Sequence, residues 1–365
     1  MHIAIDARVI NSSTGRYVER LLHYLQEIDA KNNYSILVRK EDENYWVPSR
    51  ENFKIVIADF PNYSLAEQFG LKKLLNQLKP DLVHFCMPQQ PIGYSGKTVT
   101  TFHDLTLMKT YNSDKNWLMF HIKQVIAKHI FKKAAQNSDH IIAISKYTKQ
   151  DLLAFTPLVE EKITVIYEAG ETTSAGSRNY KLPFHRYMLY VGQQSDYKNI
   201  KRLGDAHQKL RETYPELGLV LAGKKNAATL KNEQYFESKN YKGILFTDFV
   251  DDDQLNWLYA HAEAYIFPSL MEGFGLPGLE AMAHGTPVVS SNATCLPEIY
   301  ADAARYFDPK DTDDIARVIG EVIGNPALKR QLSTAGYQRI KKFSWKKMAA
   351  QTHAIYEEVL SKTTD

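Results

Sequence analysis

The sequence predicts an α/β fold built from two doubly wound units in tandem, each a parallel sheet covered by helices. Short apolar runs alternate with helix-period segments twice along the chain. A polar stretch rich in Gly, Ser and Thr, residues 170–183, separates the two alternations and reads as a linker. At 365 residues the chain also exceeds the size at which a single core stops growing.

The first alternation opens on the apolar run IAIDA at 3–7, a strand. A helix follows over 15–25, where Val18, Leu21, Leu22 and Leu25 recur at helical spacing on one face. Strands are expected at 34–38 and 53–58, a helix at 65–78, and strands at 82–85 and 98–102. A long helix spans 117–135, then a strand at 140–144, a helix at 147–153 and a short strand at 163–166. The second alternation runs strand 187–191, helix 200–211, strands 218–222 and 243–246, helix 251–260, strand 264–267, helix 278–284 and strand 287–290. The end is helical over 311–323, 326–336 and 345–360, with a break at Phe343–Ser344 before the last helix. In such sheets ligands bind beyond the C-terminal strand ends, and two units facing each other make a cleft.

Composition bounds the function. Hydrophobic content of 44% and charged content of 24% are ordinary for a soluble globular protein. A net charge of +3 gives no argument for nucleic acid, and no zinc-finger or recognition-helix pattern appears. The two cysteines, Cys86 and Cys295, sit in or beside apolar segments, which points to reduced, buried thiols and a cytoplasmic location. The first residues read as a strand rather than as a secretory signal, and no apolar run is long enough to cross a bilayer. Between Lys115 and Lys133 there are five lysines and no acid. Leu118, Ile122, Val125, Ile126 and Ile130 fall near one face of that helix, so a core-packing helix with a solvated basic face is expected. Attraction to anionic lipid headgroups is the functional alternative, with Trp117 and Phe120 available to assist.

The densest chemical signal is PSLMEGFGLPGLEAMAHGTP at 268–287. Gly273, Gly275 and Gly278 permit close approach of backbone to a ligand. The loop feeds a helix ending near Gly285, and N–H groups at a helix start suit a phosphate. Glu272 lies in the loop and Glu280 eight residues on, in the helix. Carboxylates repel phosphate but accept hydrogen bonds from sugar or ribose hydroxyls. The pattern fits a nucleotide sugar. The triplet Asp251–Asp253 invites a metal reading, but acids at a helix start are favourable in themselves, and a cap is expected there.

Several segments in order resemble the retaining glycosyltransferases of family 4. They are GRYVERLL at 15–22, FHDLTLM at 102–108, SDHIIAISKYTKQDL at 138–152 and YVGQQSDYKNIKRL at 190–203, followed by LVLAGKK at 219–225, SLMEGFGLPGLEAMAHGTPVVSSNATCLPEI at 269–299 and FSW at 343–345. The resemblance implies a GT-B fold: an acceptor-binding Rossmann-like domain over 1–175, a nucleotide-sugar domain over 184–342, and a C-terminal helix, 343–365, crossing back to the N-terminal domain. It implies that Glu272 contacts hydroxyls of the donated sugar and Glu280 the ribose. Phe274, Gly275 and Leu276 would line the diphosphate and sugar with backbone N–H groups. Lys198 would neutralise the diphosphate, with Arg202 or Lys224 assisting. His103 and Asp104 would stand at the reaction centre, His103 reaching the sugar. Asp104 also reads as an Asx turn or helix cap. Gly15 would approach the donor phosphates, and Arg16 and Tyr17 the acceptor. The chain departs from the family's pattern at Gln193, Tyr197 and the single glycine of NSSTGRYV.

The expected reaction moves a hexose, foremost mannose from GDP-mannose, onto a glycan or lipid-linked oligosaccharide. The sugar keeps its anomeric configuration, and no metal or other cofactor takes part. Rhamnosyl or glucosyl transfer from a dTDP or UDP donor is the nearest alternative. A sugar-nucleotide 2-epimerase and a non-catalytic nucleotide-sugar-binding protein are the others. The expected place of action is the cytoplasm, at the inner face of the plasma membrane where the acceptor is lipid-linked.

Overall fold

The computed structural model describes residues 1–110, 117–170 and 176–362, without the side chains of 117–120 and 122. It divides into two compact units. The first contains Met1–Lys109, Trp117–Glu168 and the chain from Ser344 on; the second contains Ala169–Phe343.

The first unit is built on β1 (His2–Asp6), α1 (Gly15–Ile28), β2 (Asn33–Val38), β3 (Phe53–Ile57), α2 (Lys72–Leu78), β4 (Leu82–Phe85) and β5 (Thr98–Phe102). It continues with α3 (Thr106–Lys109), α4 (Trp117–Asn137), β6 (His140–Ala143), α5 (Lys146–Phe155) and β7 (Ile163–Val165). The strands form one parallel sheet in the order β3-β2-β1-β4-β5-β6-β7. Such an order places β1 centrally, and Ile3, Ala4 and Ile5 are fully buried. The helix expected over 65–78 carries a wider π turn at Glu67–Leu71 before α2.

The second unit contains β8 (Arg186–Val191), α6 (Ile200–Thr213), β9 (Leu217–Ala222), α7 (Ala227–Ser238), β10 (Ile244–Asp248) and α8 (Asp252–His261). After these come β11 (Ala264–Phe267), α9 (Leu276–Ala283), β12 (Val288–Ser291), α10 (Leu296–Tyr300), β13 (Ala304–Phe307), α11 (Thr312–Ile323) and α12 (Pro326–Ile340). Its parallel sheet runs β10-β9-β8-β11-β12-β13. The helix α7 and the strand β13 are absent from the sequence reading. Polar AATLKNEQYFES lacks an apolar stripe, and ARYF is too short to alternate.

The last helix, α13 (Trp345–Ser361), belongs to the first unit. It packs along α1 and buries Trp345, Met348, Ile355, Tyr356 and Val359. Lys346 pairs with Glu27 at 3.0 Å, His353 with Asp29 at 2.9 Å, and Lys97 Nζ donates to the Val359 carbonyl at 2.9 Å. The crossing-back of the C-terminal helix thus has a physical cause: an apolar face that the first unit covers.

One expectation is overturned. Val125 and Ile126 do not face a core: they are 68% and 45% exposed. The buried side of α4 is Ala127, Ile130, Phe131, Ala134 and Ala135, of which Phe131 meets Phe102 edge-on. At 100° per residue, residues 125 and 126 lie off the stripe set by 127, 130, 131 and 134. Leu118, Ile122, Trp117 and Phe120 lie outside the described side chains, and Lys115 outside the described residues. Among the described residues, no helix is long and apolar enough to cross a membrane.

Candidate active site

In the second unit, β8 is followed by Gly192, whose φ of +136° favours glycine. A 3-10 turn, Asp196–Lys198, follows and closes on Asn199 in the left-handed region. Asn199 Nδ2 donates to the carbonyls of Pro268 and Pro309 at 3.1 and 2.7 Å. The Leu270 N–H donates to the Tyr197 carbonyl at 2.8 Å. These bonds tie the turn bearing Lys198 to the loop bearing Glu272. The result is a 2.6 Å ion pair between Lys198 Nζ and Glu272 Oε1, with side chains only 15% and 12% exposed. Lys198 also lies over the Tyr197 and Phe267 rings. Burial opposes its ammonium, but the Glu272 charge, followed by Tyr197 and Tyr190, outweighs that and raises its pKa above the ordinary lysine range.

The Gly-rich loop is held from beneath. The Glu272 N–H donates to Thr294 Oγ1 at 3.1 Å, and Cys295 Sγ donates to the Glu272 carbonyl at 3.3 Å. Gly275, at φ +99°, precedes α9, and Tyr300 Oη donates to its carbonyl at 2.6 Å. A Cβ on Gly275 or Gly278 would overlap the Tyr300 hydroxyl, so packing alone calls for glycine at both positions. Leu276 opens α9; Pro277 carries no N–H, and the Gly278 N–H donates to the Gly275 carbonyl at 3.2 Å. The Phe274 ring is buried edge-on against Phe343, so only its backbone faces outward chemistry. Glu280 is buried on α9 and accepts from Tyr259 Oη at 3.1 Å. Arg202 Nη1 donates to Asn199 Oδ1 and to the Pro309 carbonyl at 2.7 and 3.3 Å, which gives that guanidinium a loop-fastening duty.

In the first unit, His103 follows β5 at the C-terminal edge of the sheet. Its Nε2 lies 3.0 Å from the Cys86 carbonyl and its Nδ1 3.2 Å from Glu168 Oε1. The Tyr17 ring meets it edge-on at 4.8 Å. Tyr17 Oη and Thr101 Oγ1 are 2.9 Å apart, Thr101 Oγ1 and His84 Nε2 2.9 Å, and His84 Nδ1 and Tyr356 Oη 2.5 Å. Burial, with His103 as the lesser cause, pushes His84 down to about 3. Asp104 Oδ1 accepts from the Thr106 N–H at 2.7 Å, the Asx-turn geometry. Gly15 starts α1 with its missing Cβ against the Ile10 carbonyl; Arg16 is half-buried beside it.

The structure therefore joins Lys198 to Glu272, and Tyr17 to His103. Glu168 and Cys86 were missed. Both are contacts of His103 made through topology, with no local motif to reveal them. Asp251 caps α8, with its side chain accepting from the Gln254 N–H and Gln254 reaching back. Among the described residues no His, Cys, Asp and Glu cluster suits a metal ion. An open concavity of about 620 Å³ near Glu263, Lys329 and Arg330 is formed by other residues, and Glu263 there is neutralised by Arg186 and Lys329.

Residues 14–170 match the model for glycosyltransferase family 4, and residues 182–339 that for glycosyl transferases group 1. The chain is 30% identical over 275 residues to an Escherichia coli O-antigen chain mannosyltransferase B, covering 72% of this chain and 70% of that one. The chain belongs to this glycosyltransferase family. The enzyme also matches E. coli serotype-specific mannosyltransferase WbdA at 32% identity over 68% of its own length, but over only 32% of that longer protein. Sucrose-phosphate synthase from Thermosynechococcus elongatus superposes with a TM-score of 0.80 at 19% identity, covering both chains completely. Anabaena HepE, solved with UDP and glucose, gives 0.73 at 15% identity over 98% of this glycosyltransferase and 99% of that chain. The fold is GT-B.

Proposed function

We propose that this glycosyltransferase moves a hexose from a nucleoside-diphosphate sugar onto a glycan or lipid-linked oligosaccharide, with retention at the anomeric carbon. The observation that carries the reading is the buried Lys198–Glu272 pair beside the glycine-bound start of α9. A cation and a set of N–H groups oppose the charge that grows on the β-phosphate as the glycosidic bond breaks. When the diphosphate arrives, Lys198 exchanges its carboxylate partner for phosphate. Glu272, relieved of the ammonium, accepts hydrogen bonds from sugar hydroxyls. Glu280 accepts from the ribose, and His103 is read as a group that meets the sugar.

Two donor classes are supported by different comparisons. The names of the sequence relatives favour mannose, and hence GDP-mannose. The UDP and glucose bound by Anabaena HepE favour a uridine donor with equal weight. Recognition of the base belongs to neither the glycine loop nor Lys198, so the two readings share one mechanism. The exposed Val125 and Ile126, flanked by Lys123, Lys128 and Lys133, suit peripheral contact with an anionic membrane at the cytoplasmic face, where a lipid-linked acceptor would lie.

The test is incubation with GDP-mannose, UDP-glucose or dTDP-rhamnose, with and without lipid-linked oligosaccharide acceptors. Acceptor-dependent release of nucleoside diphosphate from one donor is expected. Interconversion of the sugar nucleotide without an acceptor, or binding without release, would overturn the reading.

A further inference from the structure

We infer that Glu168 is the positioning residue for His103, binding the ring through a proton held between His103 Nδ1 and Glu168 Oε1. The inference rests on the reading of His103 as a group that meets the sugar.

Hydrogen-bond chemistry leads there. A carbonyl only accepts, so the 3.0 Å contact with the Cys86 carbonyl requires a proton on His103 Nε2. Nδ1 then faces the Glu168 carboxyl at 3.2 Å. Glu168 is 4% exposed, and a carboxylate so buried needs a counter-charge or a proton. A proton between the two groups meets both needs. Two further contacts hold His103, whose side chain stays 12% exposed. The Tyr17 ring on α1 packs against its edge, and Thr148 Oγ1 on α5 donates to its backbone carbonyl at 3.1 Å. The titratable neighbours are Tyr17 from α1, His84 from β4, Cys86 beyond β4 and Asp104 on its own loop. The Asp104 carboxylate is engaged by the Thr106 N–H.

The consequence is an imidazole that cannot turn. A flip would set ring C–H groups against a carbonyl and a carboxylate. A sugar approaching this strand end meets a ring already aligned, so no reorganisation is needed as the glycosidic bond breaks. Glu168 touches no substrate in this scheme; it acts through His103.

Glu168→Gln keeps the shape but cannot hold the proton in the same way, and Glu168→Asp restores the acid with a shorter reach. In the full-length protein, proton NMR is expected to show a downfield His103 Nδ1 signal that vanishes in Glu168→Gln. With GDP-mannose or UDP-glucose, whichever the wild type uses, kcat is expected to fall about tenfold to hundredfold, by analogy with losing the partner that orients a metal-bound imidazole. The donor KM should stay within about twofold, and Glu168→Asp should recover part of kcat. The inference is overturned if the downfield signal is absent in the wild type or persists in Glu168→Gln. It is also overturned if kcat is unchanged, or if kcat, KM and Tm all decline together. His103→Ala separates the two levels: a neutral effect there sinks the reading of His103, whereas slow His103→Ala beside normal Glu168→Gln sinks only the role of Glu168.

Discussion

In the second unit, Lys198 and Glu272 stand on two loops fastened by Asn199, Thr294 and Tyr300, and most of the candidate residues fall within one stretch of about a dozen positions. In the first unit, His103 draws its partners from residue 17, residue 86, residue 148 and residue 168, on separate elements of the sheet. In the first arrangement the glycines and acids of residues 272–280 announce themselves locally, although Lys198 reaches them from 74 positions away. The second is assembled by topology, so its chemistry is invisible until the strands are ordered. The contrast teaches that the acids and glycines of the second unit sit in one stretch, while the partners of His103 are distributed over the fold.

The largest expected effect tests the local device. Lys198→Ala should lower kcat/KM for the donor about 10²- to 10³-fold, the loss typical of removing one group that stabilises developing negative charge. A loss below tenfold, read from nucleoside diphosphate release, would mean that charge handling is spread more widely. Next in size is Gly278→Ala. The added methyl overlaps the Tyr300 hydroxyl, and overpacking of this kind costs about 3 kcal/mol. Denaturant unfolding should show it, and an unchanged midpoint would contradict the packing described for the loop.

The distributed arrangement is probed by acid. His84 is pushed down to about 3 from an ordinary 6.5, so the unfolded chain binds the extra proton between those values. Its contribution is fully present above about pH 6.5 and is lost as pH falls towards 3. From pH 6.5 to 5 the expected loss is about 1.6 kcal/mol, at 1.36 kcal/mol per unit with the unfolded histidine already half-protonated at pH 6.5. Urea unfolding of wild type and His84→Gln at both pH values should show a steeper decline in the wild type. Parallel declines would remove His84 from the account. Smallest is Asp251→Ala, which deletes the cap of α8 and should cost about 1 kcal/mol without altering donor turnover. A drop in turnover would revive a role for the acidic triplet in binding.

Both alternations were legible because apolar periodicity is written locally, whereas the return of the final helix was implied by the family resemblance, with the break at Phe343–Ser344 as its local sign. Glu272, Glu280 and the glycines were legible for the same reason. The Lys198–Glu272 contact was not, since the two residues are 74 positions apart and each had been given a separate ligand to hold. Val125 and Ile126 were misread because an apolar residue on a helix looks the same whether its neighbour is a sheet or solvent. Gly275 and Gly278 were read as room for a ligand, whereas Tyr300 beneath them supplies a second reason.

The central claim is that a diphosphate replaces Glu272 as the partner of Lys198. Calorimetric titration of GDP and UDP into wild type, Lys198→Ala and Glu272→Gln tests it most directly. One of the two nucleotides should bind the wild type, bind Lys198→Ala at least tenfold more weakly, and bind Glu272→Gln more tightly, because the lysine there no longer has to leave a carboxylate. Equal affinity for all three proteins would contradict the account.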